Sequence, residues 1–182
     1  MLLSWTIAMR NWNLNVRQRQ EREAEILYLS YHDPLTGLPN RRQFFEQGNR
    51  EIARTNRYGH PLAVLMLDID YFKRINDSFG HSVGDQVLVC FSEALGPQLR
   101  DSDLIARLGG EEFAVLLLET DLPTAVKVAE RLRQSVGDMT VNDEGQKISV
   151  TVSIGVGSAD GGEASLDALL GAADTALYHA KE

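Results

Sequence analysis

Two acidic features break the hydrophobic pattern of this sequence. Asp68 and Asp70 end an apolar run, Leu62-Ala63-Val64-Leu65-Met66-Leu67, and residues two apart on a strand point to the same face. Burying an uncompensated carboxylate is expensive, so an apolar strand that delivers one to its end usually offers it a partner or a metal. Glu111 and Glu112 follow Gly109-Gly110 between two further apolar runs. If those runs neighbour the first, the turn lies near Asp68, and carboxylates from separate strands would suit a hard divalent cation. The plainer alternative is that acids at strand ends and turns are simply solvated. A dense polar cluster comes next: Lys73, Asn76, Asp77, Gly80, His81, Gly84 and Asp85. Asn and Asp can read a base edge, Asp by accepting from a ring N–H and an exocyclic amine. Glycines let the backbone approach a ligand closely. Alone, such a cluster reads more often as plain turns.

Elements with a clear hydrophobic period must hold these groups in place. Asn40 with Gln43 forms a capping-box-like start, and the helix after it turns Phe44, Phe45, Gly48, Ile52 and Ala53 inward. Pro61 resets the chain into the apolar run, the mark of a strand buried on both faces. A helix over 84–98 carries Val87, Leu88, Phe91, Ala94 and Leu95 at helical spacing. Two short strands, 104–108 and 113–118, flank a Gly-Gly-Glu-Glu hairpin turn. Pro123 opens a helix with Ala125, Val128, Ala129, Leu132 and Val136 on one face. The turn Asn142-Asp143-Glu144-Gly145 leads into a strand over 147–157. Ser165 then caps a last helix with Leu166, Leu169, Leu170, Ala173, Leu177 and Ala180 inward. Crossover helices returning to one sheet predict an α/β sandwich around a central antiparallel hairpin.

Four segments occur in order: Asp33-Pro34-Leu35-Thr36-Gly37-Leu38-Pro39-Asn40-Arg41-Arg42, Asp68-Ile69-Asp70-Tyr71-Phe72-Lys73-Arg74-Ile75-Asn76-Asp77, Gly80-His81-Ser82-Val83-Gly84-Asp85 and Gly109-Gly110-Glu111-Glu112-Phe113. Together they closely resemble the GGDEF family of diguanylate cyclases, from about Asp33 to the C-terminus. The resemblance implies an α/β (α+β) palm-like nucleotidyl-cyclase fold, with a central, mainly antiparallel five-stranded sheet flanked by helices. It implies condensation of two GTP into cyclic di-GMP plus two pyrophosphates, each 3′-hydroxyl attacking the α-phosphate of the other nucleotide. Asp68, the Ile69 carbonyl, Glu111 and Glu112 are then the metal ligands, for two Mg²⁺ or Mn²⁺ ions per site. Glu111 is also the base, and Lys73 stabilises the transition state. Asn76 and Asp85 read guanine, His81 is a further substrate contact, and Lys181 of Tyr178-His179-Ala180-Lys181 touches the triphosphate. Arg100 and Asp103 resemble the family's Arg-x-x-Asp product-inhibition site; the alternative is a solvated helix exit. The family continues past the terminal lysine with Gly-Arg-Asn. This chain stops at Glu182, so a truncated C-terminal end and weaker nucleotide binding are expected.

Composition fits that reading. Of 182 residues, 43% are hydrophobic and 24% charged, the mix of a folded soluble chain. A net charge of −8 argues against wholesale nucleic-acid binding, which needs surplus Lys and Arg. The lone Cys90 excludes an intrachain disulfide and fits a reducing compartment, so the domain is expected to be cytoplasmic. Residues 1–30 differ in kind. Trp5, Met9, Trp12, Val16, Arg19, Glu23 and Ile26 recur at alternating four- and three-residue steps, and Asp33-Pro34 closes the stretch. A fraying tail is one reading. The other is a signalling helix, pairing two copies into a homodimer and leading from an upstream sensory domain or an inner-membrane anchor. The expected division is a helical linker over 1–30 and a GGDEF domain over 31–182. A catalytically dead nucleotide sensor and a purely structural dimerisation domain are the rival classes.

Overall fold

The computed structural model describes residues 2–143, 145–160 and 164–182, with side chains given from residue 16 onward. The side chains of Trp5, Met9 and Trp12, and Glu144 of the expected turn, lie outside the described residues. A long helix, α1 (Leu2–Tyr31), leads the chain and stops just ahead of Asp33-Pro34, where the residue before proline is pushed out of the helical region. Among the described residues no helix is long and apolar enough to cross a membrane.

Helix α2 (Arg41–Tyr58) starts at Asn40, whose side chain accepts from the Gln43 N–H at 3.1 Å, and ends at Gly59 with φ 71°. The expected capping box forms only by half. The Asn40 N–H is committed to the Tyr31 carbonyl at 2.8 Å, which leaves Gln43 Oε1 buried without a partner.

Strand β1 (Leu62–Ile69) follows, then α3 (Phe72–Phe79), α4 (His81–Leu95) and a single 3₁₀ turn at Gly96–Gln98. The hairpin β2 (Leu104–Gly109) and β3 (Glu112–Leu118) leads to α5 (Leu122–Asp138). After it come β4 (Val141–Asp143), β5 (Gln146–Ile148), β6 (Val152–Ala159) and α6 (Leu166–Lys181). The central sheet runs β2-β3-β1-β6, with every neighbouring pair antiparallel.

That sheet has four strands among the described residues, where five were expected. The run over 147–157 divides: β5 pairs with β4 as a hairpin of its own, and only from Val152 does the chain join β1. The mixed helix and antiparallel sheet stand. The polar cluster also departs from turn structure. Residues 72–79 are helical, and Gly80 at φ 84° separates them from α4, which begins three residues ahead of the expected start at Gly84.

Alternation along β1 builds two cores. Ala63, Leu65, Leu67 and Ile69 face α3, α4 and α5, together with Phe91, Phe113 and Leu132. Leu62, Val64 and Met66 face α2 and α6, together with Phe44, Leu116, Leu169 and Leu177. Apart from Ala63, each such side chain contributes roughly 1.5–3 kcal/mol when fully buried. Coverage on both faces explains why an antiparallel strand reads as a continuous apolar run. Helix α6 lies directly on β6 because Gly155 and Gly157 carry no side chain. A Cβ on Gly155 would stand 2.9 Å from Leu177 Cα, and one on Gly157 3.0 Å from the Ala173 amide nitrogen.

Candidate active site

Asp68 continues the Leu62-Val64-Met66 series, so its side chain leaves the sheet on the α2/α6 face, where the apolar core runs out. In register it lies opposite Glu112 of β3 on one side and Ser153 of β6 on the other. Its carboxylate is 14% exposed, and Oδ1 accepts from Lys181 Nζ at 2.7 Å. The glycine-permitted approach of α6 delivers that lysine. Leu177 rests on Gly155, and Lys181 follows one helical turn later, over the strand end that carries Ser153 and Asp68.

Asp70, grouped with Asp68 in the sequence, has a different role. Its oxygens accept from the Thr151 and Ser153 hydroxyls at 2.6 and 2.7 Å, and its N–H donates to the Thr151 carbonyl. Asp70 therefore pins the end of β1 to β6. Thr151 and Ser153 escaped sequence reasoning, because a hydroxyl on an alternating strand carries no signal of its partner.

Glu111 is half-buried in the β2–β3 turn, and Glu112 is exposed at the start of β3. The turn depends on Gly109 at φ 150° and Gly110 at φ 53°, a backbone region that a side chain disfavours. Among the described residues no three His, Cys, Asp or Glu side chains gather as a ready-made metal cage. Magnesium does not require one, since it binds through one or two carboxylates plus substrate phosphates and keeps waters. The donor set fits such an ion: hard oxygens from Asp68 and Glu112 opposite each other, the Ile69 carbonyl beside Asp68, and Glu111 in the turn. In this structure the Asp68 carboxylate is paired with the Lys181 ammonium.

The second group sits at the α3–α4 junction. Lys73 is exposed near the start of α3, and half-buried Asn76 lies one turn further on. The Asn76 amide packs against Gly84, where a Cβ would stand 3.0 Å from its Cγ. Asp85 follows Gly84 directly. His81, four residues earlier on α4, shares its exposed face. The contact at Gly84 thus sets Asn76 against α4, the helix that also carries His81 and Asp85. Asp85 also lines a groove with Leu35, Ser82, Gln86, Cys90 and Asn142.

Arg100 and Asp103 form a closed turn apart from both groups. Asp103 Oδ2 accepts from the Arg100 N–H at 2.9 Å, and the Asp103 N–H returns a bond to the Arg100 carbonyl. Asp103 Oδ1 is buried without a partner, and the Arg100 side chain is exposed.

Sequence reasoning also passed over Arg107. Its guanidinium, 13% exposed, donates from Nη1 to both Asp33 oxygens at 3.0 and 3.1 Å, and from Nε and Nη2 to the Gly110 carbonyl at 3.0 and 2.8 Å. Burial by itself would raise the Asp33 carboxyl. The Thr36 N–H and hydroxyl, with Arg107, outweigh it and hold Asp33 below the usual carboxylate range. An arginine inside a strand of otherwise apolar residues was the available signal.

Residues 30–182 match the family described as diguanylate cyclase, GGDEF domain. The chain is 47% identical over 149 residues to the diguanylate cyclase DgcP of Pseudomonas aeruginosa, a match covering 82% of this chain and 22% of that protein. It is 43% identical over 157 residues to the response regulator PleD of Caulobacter vibrioides, covering 85% and 35% respectively. It therefore spans well under half the length of either relative. The crystal structure of the coiled coil and GGDEF domain of DgcB from Caulobacter crescentus, in complex with c-di-GMP, superposes with a TM-score of 0.83. That likeness has 26% identity and covers 98% of this chain and 94% of that one. With the match unbroken from residue 30 to residue 182 and the fold shared, the chain belongs to the GGDEF domain family.

Proposed function

We propose that this chain is the catalytic part of a diguanylate cyclase, converting two GTP into cyclic di-GMP and two pyrophosphates. The observation that carries the reading is the register of Asp68 against Glu112, with the chain's own Lys181 ammonium on the Asp68 carboxylate. The Asn76–Asp85 pair starts only a few residues beyond the same strand. Asp68, the Ile69 carbonyl, Glu111 and Glu112 would hold two Mg²⁺ or Mn²⁺ ions. Such ions would supply acidification of the attacking hydroxyl and neutralisation of charge on the α-phosphate and leaving pyrophosphate.

The protein's own groups do the rest. Asp85 accepts from the guanine N1–H and exocyclic amine, with Asn76 beside it. ATP offers no such donor pair and would leave Asp85 unpaired. Lys181 moves onto the triphosphate, His81 adds a substrate contact, and Lys73 offsets charge developing in the transition state. Each 3′-oxygen bonds to the α-phosphorus of the opposite nucleotide. The bond from that phosphorus to the bridging oxygen breaks, and pyrophosphate departs with the electron pair. Glu111 receives the hydroxyl proton.

One domain holds one GTP, so ring closure needs two copies face to face. Residues 1–30 serve as a helical connector that raises the effective concentration of the second half-site for the domain over 31–182. Product bound at Arg100 and Asp103 slows the enzyme. We assign the domain to the cytoplasm, where GTP is available, downstream of a sensory or membrane-anchored segment.

Incubation with GTP and Mg²⁺, followed by chromatography, is the test. Cyclic di-GMP should form, and Asp68→Asn and Glu111→Gln should abolish it with the circular dichroism unchanged. GTP binding without turnover by the parent chain would instead make it a sensor.

A further inference from the structure

The segment between α1 and α2 is tied down at both ends. Within it, Asp33 N–H donates to the Leu38 carbonyl at 2.8 Å and Gly37 N–H to the Asp33 carbonyl at 2.9 Å. Towards α1, Asn40 N–H reaches the Tyr31 carbonyl at 2.8 Å, and Asn40 Nδ2 reaches the Ser30 carbonyl at 3.1 Å. Towards the sheet, Arg107 N–H donates to the Pro39 carbonyl at 3.0 Å, while the Arg107 side chain holds Asp33. The same guanidinium holds the carbonyl of Gly110, the residue before Glu111. Among the described residues nothing stands within 4 Å of where a Cβ would lie on Gly109 or Gly110, so the turn has no packing on those sides to fix two permissive residues.

We propose that Arg107 is a positioning residue: its fork fixes the Gly110–Glu111 peptide relative to the Asp33 loop, and so links the end of α1 to the orientation of Glu111. A guanidinium is required because one planar group must serve a carboxylate on one edge and a carbonyl on the other. Lysine keeps the charge and loses that geometry. Two routes run from the helix end to Arg107, one through Asn40 and Pro39 and one through His32 and Asp33, and from Arg107 the path continues to Gly110 and Glu111. Every link is a direct hydrogen bond or a peptide bond. This inference rests on the role given to Glu111 above.

The test uses the full chain as parent, Arg107→Ala, Arg107→Lys and Asp33→Ala. Hydrogen exchange read by mass spectrometry should speed up by about tenfold or more in peptides spanning 108–113 for both Arg107 variants, with β1 peptides unchanged. Cyclisation should show kcat falling by about 10- to 100-fold, with the KM for GTP within about threefold, since guanine is read on α3 and α4. Asp33→Ala should produce a smaller change of the same kind and add nothing in the Arg107→Ala background. Unchanged exchange over 108–113, or full rescue of kcat by Arg107→Lys, would overturn the proposal. If the parent makes no cyclic dinucleotide, the functional reading fails while the exchange data still judge Arg107. Should Arg107→Ala fail to fold, Arg107→Lys carries the same measurements.

Discussion

Replacing Gly84 by alanine sets two effects of opposite sign against each other. In an ordinary helix interior the change stabilises by roughly 0.5–1 kcal/mol. Here the new Cβ would stand 3.0 Å from Asn76 Cγ and 3.3 Å from Phe72 Cζ, and closer still to Asn76 Oδ1. Carbon contacts settle at about 3.5–4.0 Å, so the Asn76 amide must withdraw by about 1 Å or change rotamer. Either movement would take it off the guanine edge proposed for it. A polar group left unsatisfied in a closed site costs about 1–3 kcal/mol, or roughly 5- to 150-fold in affinity. GTP titration of the parent and variant by calorimetry, with a non-hydrolysable analogue, measures this directly. Asn76→Ala supplies the control. Once the amide is gone only the 3.3 Å contact with Phe72 Cζ remains, so Gly84→Ala in that background should cost no further affinity and should recover part of the helix gain in a thermal melt. If the single Gly84→Ala variant binds nucleotide as the parent does, the packing argument for Asn76 is wrong.

Gly155→Ala should lower stability by about 1–3 kcal/mol, because α6 has to lift off the strand. A fall in the urea midpoint at constant slope is the expected readout. The Asp33 carboxyl is held low in the fold, so its stabilisation is complete above the unfolded value of about 3.9 and is lost as pH falls through the folded one. Asp33→Asn should therefore flatten the acid limb of stability below about pH 4 and leave the neutral limb parallel to the parent's. An acid limb as steep as the parent's would contradict the assignment. Arg100→Ala should abolish inhibition by added cyclic di-GMP without lowering the initial rate, as measured by progress curves with and without product.

The elements with a strong period were legible from the amino acids. Leu62 to Leu67 announced a doubly covered strand, Ser165 marked the start of α6, and Pro123 marked α5. Motif spacing brought Asp68, Glu112, Asn76 and Asp85 into one reading. What stayed hidden depends on long-range pairing. The split of the 147–157 run is decided by which partner each half meets, Val141 or Ile69, and alternation is blind to that choice. Asp68 and Asp70 look equivalent by period, yet one meets Lys181 and the other two hydroxyls. The helix over 72–79 was masked because Asn, Asp and Ser favour turns locally, and burial of Phe72 overrides that preference.

The bond between Lys181 and Asp68 bears on endurance as well as chemistry. A sunken carboxylate with its own ammonium needs no imported ion to keep the surrounding strands together, in contrast to small folds that collapse when chelators strip their metal. Melting curves with and without EDTA should overlay. Loading and emptying the proposed metal site should then leave the scaffold intact.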